Sequence, residues 1–153
     1  MDVINRFLSG YESNSIEETI EAGRIFGSII AENSVVSMRG DLGAGKTTFV
    51  KGIAEFFDIS DNITSPTFNI FSLYSGRINL LHVDAYRLND PKEAEDIALE
   101  DFLIPPFLML VEWPENLGLL NDCDYLLNFS LGPDCHRTIT LEIDETSLQC
   151  SIN

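Results

Sequence analysis

The residues with the most specific chemical spacing are Gly40–Thr47, which read Gly-Asp-Leu-Gly-Ala-Gly-Lys-Thr. They match the phosphate-loop pattern G-x-x-x-x-G-K-[ST] at every fixed position. Glycines let such a loop turn tightly around an anion with its N–H groups pointing inward, and the helix that follows adds the positive end of its dipole. We therefore expect Lys46 to reach the β- and γ-phosphates of a nucleoside triphosphate and Thr47 to give an oxygen to Mg²⁺.

The stretches on either side of the phosphate loop, residues Gly40–Thr47, are of the types that this chemistry needs. Val35–Met38 favours a strand, and Thr47–Phe57 carries apolar residues at helical spacing. A glycine-rich turn with a chance lysine is the alternative, and the order strand, loop, helix disfavours it. The residues predicted to contact the nucleotide are Asp41, Leu42, Gly43, Ala44, Gly45, Lys46, Thr47, Thr48 and Trp113.

Two acids follow apolar runs that read as buried strands. Asp84 ends Leu80–Asp84, where phosphate-loop nucleotidases place the acid that holds Mg²⁺ through water. Its alternative role is to cap a turn. Glu112 ends another apolar run and reaches the same edge of the sheet, where a carboxylate can activate the attacking water. The predicted metal set is therefore Thr47, Asp84 and Glu112, and a solvated glutamate beside a structural tryptophan is the alternative for Glu112.

Three further residues are candidates for supporting roles. Trp113, next to Glu112 in the sequence, could pack on the phosphate loop and shield the site from water. Thr67 lies in a loop that could order around the γ-phosphate, although a plain turn entering a strand fits equally well. Together with Lys46 and Glu112, Thr67 forms the predicted catalytic set. For Arg87 we favour a salt bridge or a contact with a partner over a contact with phosphate.

Length and charge exclude several classes of protein. The chain has 153 residues and no linker-like stretch, which predicts one domain over residues 1–153. It carries 25 acidic and 9 basic residues, for a net charge of −16. Tight direct binding of nucleic acid is disfavoured, because it depends on Lys and Arg. No signal peptide, membrane span, disulfide framework or zinc motif is evident, so we expect a cytoplasmic protein with free thiols.

Periodicity predicts the elements that position these residues. A capping box at Ser15 and Glu18 starts a helix that is expected to end at Asn33-Ser34. Asp90-Pro91 starts another helix that is expected to reach Phe102. The predicted inner face of the first helix consists of Ile16, Ile20, Gly23, Phe26 and Ile30. The predicted strands are Arg6–Glu12, Val35–Met38, Phe68–Tyr74, Ile78–Asp84, Phe107–Val111, Tyr125–Leu131 and Arg137–Ile143.

A hairpin between the third and fourth of these strands would be antiparallel, whereas the crossover around the phosphate loop is parallel. The predicted fold is therefore an α/β protein of three layers, with helices on both sides of a mixed, mostly parallel central sheet.

Four motifs carry a resemblance to a known family. They are GDLGAGKTTF at Gly40–Phe49, SPTF at Ser65–Phe68, HVDAYRL at His82–Leu88 and VEWPE at Val111–Glu115. In order and spacing they resemble the bacterial TsaE (YjeE) family, the ATPase component of tRNA threonylcarbamoyladenosine biosynthesis. The resemblance spans about residues 6–143.

This resemblance implies that ATP and Mg²⁺ are the ligands, that hydrolysis is slow, and that TsaB and TsaD are the partners, with the transferase chemistry in TsaD. It also implies that Lys46 and Thr47 bind phosphate and metal, and that Asp84 holds the metal. Thr67 would belong to the switch-like loop, and Glu112 with Trp113 would complete the hydrolytic site.

Two departures and two other functions qualify the resemblance. Ala98 stands where the family often has glycine, and the tail Glu145–Asn153 lacks the basic residues that some members carry.

A small-molecule kinase would need an acceptor pocket and usually an arginine-bearing lid, which the 9 basic residues and the absence of a lid insertion disfavour. A GTPase-like switch is disfavoured because no N-K-x-D stretch occurs in the chain.

Overall fold

The computed structural model describes residues 2–66, 69–119 and 122–142. The helices are α1 (Val3–Leu8), α2 (Ile16–Gly27), α3 (Lys46–Phe56) and α4 (Pro91–Glu95). The strands are β1 (Tyr11–Ser13), β2 (Ser34–Arg39), β3 (Phe71–Ser75), β4 (Asn79–Asp84), β5 (Phe107–Glu112), β6 (Tyr125–Leu131) and β7 (Arg137–Glu142). Short 3₁₀ turns lie at Leu99–Phe102, Pro114–Leu117 and Pro133–Cys135.

All seven strands form one sheet in the order β1-β7-β6-β2-β5-β4-β3. The pairs β6–β2, β2–β5 and β5–β4 are parallel, and the pairs β1–β7, β7–β6 and β4–β3 are antiparallel. The predicted mixed sheet and the predicted hairpin are confirmed, but parallel pairs make up only half of the pairs rather than most of them. Because β2, β4, β5 and β6 run the same way, their carboxyl ends meet at one edge.

Helices α1, α2 and α3 cover one face of the sheet and enclose the larger core. Phe26 and Phe49 are fully buried there, with ring centroids 5.5 Å apart. The backbones of helices α2 and α3 are in contact at two glycines. A Cβ on Gly52 would lie 1.9 Å from the Ile20 carbonyl oxygen, and a Cβ on Gly23 would lie 2.1 Å from the Phe49 carbonyl oxygen. This close contact fixes α3, and with it the phosphate loop, against the sheet.

The opposite face is covered more thinly. Leu81, Val83, Met109 and Val111 form its buried core, and they alternate along β4 and β5 with residues of the larger core. The cover comes from short helical turns that bring in Leu99, which is 7% exposed, and partly buried side chains around it. The three layers that the sequence predicts are present, but the second helical layer is thin.

The first predicted strand and the first predicted helix differ from the observed elements. Of the predicted strand Arg6–Glu12, residues 6–8 belong to α1 instead, because the Asp2 carboxylate caps this helix at the Ile4 N–H and Phe7 packs into the core, whereas Tyr11 and Glu12 do lie in strand β1. Helix α2 starts at its predicted cap, where the Ser15 hydroxyl accepts from the Glu18 N–H at 3.1 Å, but it ends at Gly27. Ile16, at the start of the predicted inner face, is 59% exposed.

The predicted helix from Asp90 to Phe102 is broken. Helix α4 ends at Glu95, and Ala98 then adopts a left-handed conformation with φ of 52° before the turn Leu99–Phe102 begins. Glycine adopts this conformation at little cost, which gives a physical reason for glycine at the position that Ala98 occupies. None of the helices in the described part of the chain is long and apolar enough to cross a membrane.

Candidate active site

The phosphate loop leaves β2 at Arg39 and enters α3 at Lys46. Gly43 and Gly45 have φ of 79° and 99°, a region that residues with a Cβ rarely adopt. Gly45 is the N-cap of α3 and has no side chain to cap it, so the first N–H groups of the helix receive no side-chain hydrogen bond from the cap. The loop therefore has the free donors and the dipole end that hold phosphate in such sites.

Lys46 is 4% exposed and folds back over the phosphate loop. Its ammonium donates a hydrogen bond to the Gly40 carbonyl oxygen and lies 4.1 Å from the centroid of the Trp113 ring. Burial lowers the pKa of Lys46, and the nearby carboxylates of Glu112, Asp84, Glu115 and Asp41 oppose this shift in part. A buried cation with a depressed pKa favours an anionic ligand at this point.

Trp113 follows β5 in a left-handed conformation with φ of 59°, which is rare for a bulky residue. Its ring lies 5.0 Å from that of Tyr86, and together with the contact to Lys46 this places it over the phosphate loop. Strained backbone of this kind is concentrated at functional sites. The shielding role of Trp113 stays a prediction.

Glu112 is 4% exposed and its carboxylate has two side-chain partners. The Thr47 hydroxyl donates to it at 2.9 Å and 3.2 Å from its two oxygens, and His82 Nε2 lies 2.7 Å from Oε2. An ionised carboxylate only accepts, so Nε2 of His82 carries the proton in this pair. Glu112 is therefore held in place from two sides, which is the arrangement expected of an oriented base.

His82 is the residue of this site that the sequence reasoning missed. It is fully buried, and its Nδ1 has no hydrogen-bond partner among the described residues. A signal was available, because His82 is a polar residue inside the apolar run Leu80–Val83 and stands two positions before Asp84. Residues at that spacing share one face of a strand. Its contact with Glu112, however, depends on the register between β4 and β5.

Asp84 lies opposite Glu112 across the β4–β5 pair. Its Oδ2 accepts from the Ser65 hydroxyl at 2.7 Å, and its Oδ1 accepts from the Tyr86 N–H at 3.0 Å. The second of these bonds is the turn-capping role that the sequence left open. The metal-binding role of Asp84 stays a prediction, and Ser65 is a further residue that the predicted site did not include.

A cleft of about 470 Å³ opens beside Asp84. Residues that line it include Leu42, Ser65, Pro66, Tyr86 and Arg87. Thr67, the third predicted catalytic residue, lies outside the described residues. The loop that precedes it, up to Pro66, forms one wall of the cleft, so the described part of this loop lies beside the predicted metal-binding acid.

The oxygen atoms at this edge fit Mg²⁺ better than a softer metal. Thr47 offers a hydroxyl, and Asp84 and Glu112 offer carboxylates, all of them hard ligands. No group of three or more His, Cys, Asp or Glu side chains in the described ranges is arranged to hold a metal ion. A small number of protein ligands is typical of Mg²⁺ sites that are completed by water and substrate phosphates.

Comparison with known proteins gives consistent matches. The family model described as "Threonylcarbamoyl adenosine biosynthesis protein TsaE" matches residues 13–145. The "tRNA threonylcarbamoyladenosine biosynthesis protein TsaE" of Treponema pallidum is 35% identical over 130 residues, which cover 84% of this chain and 96% of that protein. The protein of the same name from Bacillus subtilis is 41% identical over 98 residues, 63% of this chain and 61% of that protein.

A solved structure extends the match to the fold. The crystal structure of Bacillus subtilis YdiB superimposes with a TM-score of 0.73 and 26% identity, over 93% of this chain and 90% of that one. The similarity thus extends over nearly the whole of this chain.

Proposed function

We propose that this chain, which belongs to the TsaE family of threonylcarbamoyl adenosine biosynthesis proteins, binds ATP and hydrolyses it slowly. This activity would support the threonylcarbamoyl modification of tRNA adenosine. One observation carries the ATPase part of the proposal. Three features meet at one edge of the sheet: the phosphate loop with its uncapped helix N–H groups, the buried Lys46, and the buried Glu112, which accepts hydrogen bonds from two side chains. This combination provides both an anion site and a base beside it.

Each residue has a distinct part in the proposed reaction. The N–H groups of the phosphate loop and Lys46 bind the phosphates, and Thr47 with Asp84 would hold Mg²⁺, which neutralises phosphate charge when it is bound. The Thr47 hydroxyl donates a hydrogen bond to Glu112, so that the lone pairs of its oxygen stay available to the metal. Glu112 orients and activates the attacking water, and Trp113 limits access of bulk water.

We further propose TsaB and TsaD as the partners. Leu42 and Tyr86 support a docking surface beside the site, because they are 62% and 48% exposed and both line the cleft at Asp84. A partner seated there would contact the phosphate loop and respond to the nucleotide. The net charge of −16 favours contact with tRNA through the partners and not through this chain.

The first test measures the nucleotide site directly. Lys46→Ala should weaken ATP binding by about 1.5–3 kcal/mol, the typical contribution of a hydrogen bond to a charged group, as measured by calorimetric titration. A parallel titration of the unmodified protein with GTP tests the purine preference. Unchanged ATP affinity in a folded Lys46→Ala variant would show that the phosphate loop is not the nucleotide site.

The second test measures the coupling to partners. Pull-down of purified TsaB and TsaD should be stronger with a non-hydrolysable ATP analogue than with ADP. Because coupling between two ligands is reciprocal, the ratio of the two partner affinities should equal the factor by which the partners strengthen binding of the triphosphate relative to the diphosphate. ATP turnover should also change when the partners are added. Equal capture with the analogue, with ADP and without nucleotide would contradict the coupling.

A further inference from the structure

The site described above accounts for the terminal phosphates but not for the nucleoside end of the nucleotide. The phosphate loop leaves β2, and the acids Asp84 and Glu112 lie on the β5–β4 side of that strand. A terminal phosphate beside Glu112 directs the rest of the nucleotide towards the other side, where β6, β7 and β1 lie. The residues at that edge are the ends of β6 and β1 and the start of β7, because β7 runs antiparallel to both.

Arg137 is the first residue of β7, and its side chain lies against the phosphate loop. Its Cδ and Nε are 3.0 Å and 3.1 Å from the position that a Cβ would take on Gly45. The arginine therefore packs on the last glycine before Lys46, on the side of the loop away from the acids. Gly45 leaves the space that this contact needs, in addition to supplying its left-handed conformation.

No acid among the described residues forms an ion pair with Arg137. Its Nε is buried without a hydrogen-bond partner in the described part of the chain, and its Nη1 makes a single long contact of 3.5 Å with the Cys135 carbonyl oxygen. In contrast, Arg24, Arg39 and Arg77 each form a salt bridge with a glutamate or an aspartate. Arg6 also meets no carboxylate among the described residues, but it is exposed and lies 4.5 Å from the centroid of the Tyr11 ring.

A buried N–H group without an acceptor is unfavourable, and such groups in native proteins are often completed by a ligand or an ion. A guanidinium is also the side chain best suited to bind phosphate through two parallel hydrogen bonds. We propose that Arg137 binds the α-phosphate, at the nucleoside end of the nucleotide, in ATP and ADP alike. This inference rests on the proposed function, since it assumes that the phosphate loop holds a nucleotide.

The test compares Arg137→Met with Arg24→Met by calorimetric titration with ADP and with ATP. Arg24→Met is the matched control, because it removes the same charge from an exposed salt bridge on α2. Arg137→Met should weaken the binding of ADP and of ATP by the same factor, about ten- to a hundredfold. Arg24→Met should change neither affinity.

Arg137→Lys provides a second variant that keeps the charge but loses the planar fork, and it should bind ADP with intermediate affinity. This variant also decides the question if Arg137→Met fails to fold. Unchanged ADP affinity in the folded variants would overturn the inference and leave the proposed function intact. Loss of ATP binding alone would place Arg137 at the γ-phosphate and also overturn it, whereas failure of the unmodified protein to bind either nucleotide would contradict the proposed function itself.

Discussion

The ends of β4 and β5 carry two acids that face each other across one strand pair but have different surroundings. Glu112 is 4% exposed and accepts hydrogen bonds from Thr47 and His82. Asp84 is half-buried and borders the open cleft, and its carboxylate accepts hydrogen bonds from the Ser65 hydroxyl and the Tyr86 N–H. Neighbouring positions on one edge thus provide one carboxylate that is enclosed by two side chains and another that borders an open cleft.

The difference arises from the elements that surround each acid. Glu112 lies between the start of α3 and β4, which belong to the tightly packed part of the molecule. Asp84 instead borders a loop with no helix or strand of its own, residues 57–66, through the Ser65 hydroxyl. A packed position suits a group that must orient water, whereas an open one suits a group that must exchange water and metal ligands.

The largest expected effect comes from Glu112→Gln. Loss of a positioned base should lower ATP turnover by about 10²–10⁴-fold, while ATP affinity should stay within a few-fold, since the phosphate loop is unaltered. Turnover and calorimetric titration of the same preparation separate the two effects. Glu100→Gln, at an exposed acid of the 99–102 turn, is a suitable control. Full activity of Glu112→Gln would remove the functional difference between the two acids.

Asp84→Asn should have a smaller effect of another kind. If Asp84 holds Mg²⁺ through water, the Mg²⁺ concentration needed for half-maximal turnover should rise about 10–100-fold, as for other residues that orient metal ligands. Maximal turnover at saturating Mg²⁺ should fall much less than in Glu112→Gln. A Mg²⁺ titration that matches the unmodified protein would leave Asp84 with its turn-capping role alone.

Motif spacing predicted the parts of the site that depend on local structure. The phosphate loop and the ends of β4 and β5 lie where the sequence places them, because glycine patterns and apolar runs act within a few residues. His82, Ser65 and Arg137 were not predicted as site residues. Their relevant contacts run to Glu112, Asp84 and Gly45, 19 or more positions away in the chain, and depend on strand register and loop packing.

Two errors in the predicted fold have physical causes that the sequence does not display. A six-residue helix with an aspartate cap at Asp2 is too short to show a clear period, so α1 resembled a strand. The break at Ala98 contains no helix-breaking residue, since alanine favours helix; its left-handed conformation precedes the turn that carries Leu99 into the smaller core. In both places tertiary contacts outweigh the local propensity.

The smallest expected effect concerns the stability of the ligand-free protein. Burial lowers the pKa of Lys46, so the unfolded chain binds more protons than the folded chain between the two pKa values. The stability cost of the buried charge is therefore full below the folded pKa and decreases as pH rises towards the unfolded value of 10.5. Lys46→Met removes the charge and should raise the free energy of unfolding at neutral pH by about 0.5–2 kcal/mol.

Denaturant unfolding without nucleotide at several pH values measures this effect. The gain in Lys46→Met should shrink as pH rises, since only the unmodified protein recovers stability in that range. Added ATP should reverse the order, because the nucleotide stabilises the protein that binds it more tightly. A variant less stable than the unmodified protein at every pH would mean that the contacts of Lys46 with Gly40 and Trp113 outweigh the cost of burying its charge. The lysine would then be part of the fixed region around Glu112, rather than a cation held ready for phosphate.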